Sequence, residues 1–185
     1  MSVQIVRRHF NVDEYYRMAA AGVFSEDDRV ELIEGEIVEK NPIGSRHAAC
    51  VVRLTKLLER LAGDHAIVWV QNPMQISDYS EPLPDVALLK PRDDFYAQAN
   101  PQPSDVLLII EVADSSVEYD NIKIPLYAQA GIPEVWLVNL PEGTIEIYTQ
   151  PSNDSYKETR YMKRGESLAS ETIPGVIIDA DSVLG

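Results

Sequence analysis

Residues 105 to 139 constrain the fold more than any other stretch. Asp105 leads into Val106-Leu107-Leu108-Ile109-Ile110-Glu111-Val112, an almost unbroken apolar run. Such a run predicts a strand buried on both faces. The chain turns over Ala113–Ser116, and Val117 to Ala130 then has helical spacing, with Ile122, Ile124 and Leu126 expected inward. Pro125 lies inside that helix and predicts a kink, or a helix regular only from about Ile124. Gly131 ends the helix and Pro133 blocks its continuation. Glu134-Val135-Trp136-Leu137-Val138-Asn139 reads as a second strand. Strand, helix, strand in this order is a βαβ crossover, so the two strands are expected to be parallel.

Two acids stand out against that frame. Pro84-Asp85 opens the short run Val86-Ala87-Leu88-Leu89, and Glu111 nearly closes the longer one. If these two strands pair antiparallel, the start of one lies beside the end of the other, and the carboxylates become neighbours. Carboxylates so placed repel unless a cation or a proton separates them. A carboxylate on a central strand is also costly unless it is paired, protonated or metal-bound. A charge-neutralising metal is the sharp explanation.

The rest of the chain supplies candidates to join them. Asn11 to Ala21 reads as a short helix, capped by Asn11 or Asp13 and stopped at Gly22. Glu34-Gly35 separates two β-prone runs and predicts a hairpin. Its glutamates Glu31, Glu34, Glu36 and Glu39 read either as solvated edge charges or as site groups. Glu31, between Val30 and Leu32, is the one that suits a site. Gly44 to Gly63 is helical, with Ser45 as expected cap and Cys50 or Val51, Leu54, Leu58 and Leu61 on an apolar stripe. His47 shares that stripe, as a core-edge histidine or as a group pointing into a site. Arg46, Arg53 and Arg60 recur every seven residues on another face, a solvated stripe or a path for a phosphate backbone. Lys157, Arg160, Lys163 and Arg164 form a second basic cluster.

Strands are expected over Ala66–Gln71 and Met74–Ser77, a proline-rich loop over Pro91–Ser104, hairpin strands over Thr144–Gln150 and Tyr156–Lys163, and a last strand at Val176–Asp179. A chain of 185 residues fits one domain. No apolar run approaches the ~20 residues that cross a bilayer, and Met1–Phe10 has no signal-type apolar core. One cysteine, Cys50, excludes an internal disulfide. These features predict a cytoplasmic protein with no membrane association. The net charge of −14 opposes simple nucleic-acid binding, which rests on a basic footprint.

Several stretches carry a family resemblance. They are Val30–Ile37, Pro84-Asp85-Val86, Ile109–Ser116 and, most specifically, Tyr119-Asp120 with Lys123–Asn139. Over about residues 10 to 180 the chain resembles the Uma2 family of the PD-(D/E)XK nuclease superfamily. The superfamily lysine normally stands two residues after the second acid, where this chain has Ala113. In the family that role is carried by the following helix, here by Lys123, which lies one turn from Tyr119 and from Tyr127. The plain alternative for Lys123 is a surface lysine.

The resemblance implies an α/β (α+β) fold with a restriction-endonuclease-like core, a central mixed β-sheet flanked by helices. It implies a metal-dependent endonuclease acting on DNA phosphodiesters, with Asp85 and Glu111 holding Mg²⁺ or Mn²⁺ and Lys123 assisting the attacking water. Glu31 and His47 are accessory candidates, Arg46, Arg53 and Arg60 candidate DNA contacts, and a homodimer is expected. The rival readings are a nuclease fold serving as a binding or assembly module, and a phosphodiesterase acting on RNA or another phosphoester.

Overall fold

The apolar run becomes the middle of a six-stranded sheet. In chain order the elements are helix α1 (Val12–Ala20), strands β1 (Val30–Ile33) and β2 (Glu36–Glu39), and helix α2 (Ser45–Ala62). Strands β3 (Ile67–Val70), β4 (Val86–Leu89) and β5 (Val106–Ala113) follow, then helix α3 (Val117–Gln129). Strands β6 (Glu134–Asn139), β7 (Thr144–Ser152), β8 (Ser155–Lys163), β9 (Ser167–Ala169) and β10 (Ile177–Asp179) lead to helix α4 (Ala180–Leu184). This computed structural model describes residues 7–25, 27–114 and 117–185, apart from the side chains of 117–120. The expectations for the first six residues, for the Ser115-Ser116 turn and for the Tyr119 side chain lie outside the described residues.

The sheet runs β3-β4-β5-β6-β7-β8. β5 and β6 are parallel, as a crossover through α3 requires, and every other neighbouring pair is antiparallel. The architecture is therefore a mixed sheet with helices on its two faces. Side-chain alternation sorts the core into two layers. Val86, Leu88, Leu108, Ile110 and Val112 pack with Cys50, Leu54 and Leu58 of α2. Ala87, Leu89, Ile109 and Val135 pack with Ile124 and Tyr127 of α3. β1 and β2 form a separate antiparallel hairpin, as do β9 and β10.

Three local expectations need correction, and of the two readings of Pro125 the delayed helix is excluded. Ser45 is the first helical residue of α2, and Gly44 occupies the cap position with no side-chain hydrogen bond. Met74–Ser77 is not a strand; it crosses the sheet edge with Met74 and Ile76 buried, and its backbone bonds reach Pro82, Pro101 and Ser80. Pro125 does not delay α3, which is helical from Val117. Pro125 is exposed, as is Asn121 one turn back, so the proline lies on the solvent side of the helix. Ile122 is 56% exposed, while Lys123, Ile124, Tyr127 and Ala128 form the inward face. At the helix end, Ile132 N–H donates to Tyr127 O at 3.0 Å and Gly131 N–H to Ala128 O at 3.0 Å. That paired closure, with Gly131 at φ +75°, fixes the exit into β6.

Candidate active site

The β4–β5 register sets the centre of the site. Val86 faces Ile110, so the next step outward puts Asp85 against Glu111. The backbone N–H of Asp85 donates to Glu111 Oε2 at 3.3 Å. The N–H of Val112 donates to Asp85 Oδ2 at 2.9 Å. Both side chains are buried, Asp85 at 4% exposure and Glu111 at 0%.

Helix α3 brings the cation. Lys123 and Tyr127 are four residues apart and therefore on one face, and that face lies over β5. Lys123 Nζ donates to Glu111 Oε1 at 3.1 Å, and Tyr127 OH donates to the same oxygen at 2.5 Å. Lys123 also lies 3.4 Å from Glu31 Oε1. At 1% exposure it is a buried ammonium rather than a surface lysine.

Glu31 arrives on the β1–β2 hairpin. Glu81 N–H donates to Leu32 O and Gly35 N–H to Tyr79 O, which docks the hairpin on the segment entering Asp85. Gly35 is required there: its φ is +81°, and a Cβ on it would sit 2.6 Å from His9 Cβ. Glu31 Oε2 then accepts the Leu83 N–H at 2.7 Å, and Lys40 Nζ donates to Leu83 O at 2.7 Å.

The fifth group comes from the other face of the sheet. His47, in the first turn of α2, meets Asp85 Oδ2 through Nε2 at 2.9 Å. Burial by itself would raise the Asp85 carboxyl. The hydrogen bond and charge of His47, the charge of Lys40 and the Val112 N–H outweigh it and hold the group at about 2. Asp85 is thus a carboxylate at neutral pH, which can only accept, so His47 Nε2 carries the proton.

Asp85, Glu111, Lys123, Glu31 and His47 accordingly converge. The arginine stripe does not converge as a unit. Arg46 pairs with Asp114 at 3.2 Å and donates to Leu140 O at 3.2 Å, next to His47 in the chain. Arg53 donates to Val183 O and Leu184 O, and so ties α4 to α2. Arg60 is exposed, roughly 21 Å along the helix from Arg46 at 1.5 Å per residue. In the second basic cluster, Arg160 pairs with Glu171 and Arg164 with Asp181.

Sequence reasoning passed over Gln71 altogether and gave Tyr127 no role beyond its spacing from Lys123. Gln71 Nε2 donates to Asp85 Oδ1 at 3.1 Å, and its backbone N–H donates to Asp85 O at 3.2 Å. Counting the strand register back from Pro84-Asp85 is the signal that finds Gln71, provided the β3–β4 pairing is known. The shared helix face of Lys123 and Tyr127 is the signal for the tyrosine.

Three carboxylates thus face one ammonium and one imidazole in a water-poor pocket. Such a pocket attracts further positive charge, and it presents acid, base and hydrogen-bond donors within reach of one another. His47 and Gln71 are its partly exposed members and form its side toward solvent.

Comparison with known proteins agrees with this architecture. A family model described as "Uma2: Putative restriction endonuclease" matches residues 12–181. Among solved structures, a "putative nuclease belonging to DUF820" from Anabaena variabilis ATCC 29413 superposes with a TM-score of 0.76. It shares 17% identity and covers 95% of this chain and 97% of its own, a likeness of fold. No curated protein matches the sequence.

Proposed function

Because the chain belongs to the Uma2 family of restriction-endonuclease-like proteins, we propose that it is a divalent-metal-dependent endonuclease hydrolysing DNA phosphodiesters at the Asp85–Glu111 pair. The observation that carries this reading is the adjacency of two buried carboxylates on paired strands with a buried lysine against one of them.

The donor set fits a hard divalent cation. Asp85 and Glu111 offer oxygen ligands, and the excess of buried negative charge favours neutralisation by a cation. Mg²⁺ commonly takes one or two protein carboxylates and completes its shell with water and substrate phosphates. Among the described residues no group of three or more His, Cys, Asp and Glu side chains is arranged to hold a metal ion, so water and substrate phosphates would have to supply the other ligands. Mg²⁺ or Mn²⁺ bound there would polarise the scissile phosphate and lower the pKa of the attacking water.

The chain's own residues do the rest. Asp85 and Glu111 bind the cation. Tyr127 fixes Glu111 through Oε1. His47 fixes Asp85 through Oδ2 and meets the incoming phosphate from the exposed side. Lys123 orients the attacking water and offsets charge that develops on the phosphate oxygens. Glu31 holds Lys123 from the opposite side. Arg46, next to His47 in the chain, is the member of the arginine stripe suited to a flanking phosphate. The enzyme acts as one domain spanning residues 1–185, in the cytoplasm and as a homodimer; light scattering across a concentration series tests the dimer, and a constant monomer mass sinks it.

Titration of Mn²⁺ into wild type, Asp85→Ala and Glu111→Ala by calorimetry is the deciding experiment, paired with cleavage of a panel of DNA and RNA forms. Saturable binding and DNA cleavage, both lost in each variant, are expected. Metal-dependent cleavage that persists in both variants overturns the assignment. A second reading is a binding module without chemistry. It draws on the net charge of −14 and on carboxylates already hydrogen-bonded within the protein. Absence of both metal uptake and cleavage, together with capture of a defined partner, would favour it. Cleavage of RNA alone would move the substrate class and leave the site unchanged.

A further inference from the structure

The row that holds Asp85 and Glu111 extends one strand further, to the sheet edge. Val70 faces Val86 in the β3–β4 register, so the next step outward puts Gln71 against Asp85. Gln71 is not needed there to make the turn. The chain leaves β3 at Val70, and Gln71 takes φ +51°. Glycine adopts that left-handed conformation without penalty, whereas a residue with a Cβ is strained in it. Strain of this kind persists where the surrounding structure over-determines it, and it clusters at functional sites.

Both donors of Gln71 land on one residue. Its N–H donates to Asp85 O at 3.2 Å and its amide Nε2 to Asp85 Oδ1 at 3.1 Å. The two oxygens of Asp85 are held unequally. Oδ2 accepts from Val112 N–H at 2.9 Å and meets His47 Nε2 at 2.9 Å, one donor on its own sheet and one from α2. Oδ1 accepts from Gln71. With Oδ2 anchored, the direction of Oδ1 depends on the Gln71 amide. A neutral amide does this without adding charge to a crowded set of carboxylates.

We propose that Gln71 is a positioning residue for Asp85, one that fixes the direction of Oδ1 and so shapes the cation subsite; this rests on the nuclease reading above. It acts through Asp85 and does not itself hold the cation. The strained backbone is the cost of presenting an amide where a turn alone would carry glycine.

Gln71→Gly separates positioning from a purely structural role. It relieves the backbone and removes the amide. Gln71→Asn keeps an amide, tolerates the left-handed conformation and falls one methylene short of Oδ1. Three-bond couplings that report χ1 of Asp85 are measured in wild type and both variants, with Tm and Mn²⁺ calorimetry beside them. Wild type is expected to show one Asp85 rotamer, and both variants are expected to show averaging. Mn²⁺ affinity falls about 10- to 100-fold, as for other partners of metal ligands, while the Tm of Gln71→Gly does not fall. Unchanged Asp85 couplings in both variants overturn the proposal whatever the metal does. A lower Tm with unchanged couplings marks Gln71 as a turn residue only. If wild type neither takes up Mn²⁺ nor cleaves any DNA or RNA, the nuclease reading fails and the couplings alone decide the role of Gln71.

Discussion

Lys123 faces Glu31 and Glu111 with a single ammonium at 1% exposure. A buried pair is weak evidence of net stabilisation, but removing one partner strands the other charges. Lys123→Met is therefore expected to cost roughly 3–5 kcal/mol of folding stability, measured by urea denaturation. Glu111→Gln in the Lys123→Met background should return part of that loss. Strictly additive losses in the double-mutant cycle would contradict the pairing. Asp85 makes a different prediction, in pH. Its folded carboxyl sits at about 2, below an unfolded value near 3.9. The stabilisation is fully present above about pH 4 and is lost as pH falls through about 2. The stability gap between wild type and Asp85→Asn should close over that window. A gap that stays constant down to pH 2 would show that the folded carboxyl is not depressed.

Elements bring these residues together, and the sequence reveals them unevenly. The buried run of β5 and the crossover through α3 are legible because uninterrupted apolar residues and a Gly–Pro helix exit each have few structural outcomes. The neighbouring placement of Asp85 and Glu111 is legible for a similar reason, since it needs only an antiparallel pairing. The inward face of α3 is not. Ile122 and Lys123 are adjacent, and hydropathy turns the helix toward the isoleucine, whereas the site turns it toward the lysine. Met74–Ser77 misleads in the same way, because burial of Met74 and Ile76 does not require a strand. Gln71 is hidden because its role depends on a positive φ and on the β3–β4 register, and neither leaves a mark in composition. Two glycines test how the elements are locked. Gly131 and Gly35 both have positive φ, but a Cβ meets nothing within 4 Å at Gly131 and His9 Cβ at 2.6 Å at Gly35. Gly131→Ala should cost about 1–2 kcal/mol from backbone strain alone. Gly35→Ala should cost more, because the hairpin carrying Glu31 must also shift away from His9. Equal losses in thermal unfolding would mean that the hairpin accommodates the methyl group without moving.

At the scale of the whole molecule, the proposed function asks a polyanion to meet a polyanion. The net charge is −14, and several exposed cations are already paired with carboxylates: Arg160 with Glu171, Arg164 with Asp181, Arg46 with Asp114. Proteins that bind DNA through many phosphate contacts release counterions and lose about 10³- to 10⁵-fold in affinity between about 50 and 200 mM salt. A net charge of −14 opposes that mode of binding. Its long-range field repels the duplex, and salt screens that repulsion, with a Debye length near 10 Å at about 0.1 M. On the proposed function, the attraction would come from the buried site and the cation it would take up, at short range and at few phosphates. Fluorescence anisotropy with a cleavage-resistant phosphorothioate duplex in Mn²⁺ should show affinity that stays flat or rises as salt increases over that range. The same titration with EDTA in place of Mn²⁺ should show no binding. A steep fall with salt in Mn²⁺ would instead mean that a basic face grips many phosphates, and the Arg46–Arg53–Arg60 stripe would be the first surface to mutate.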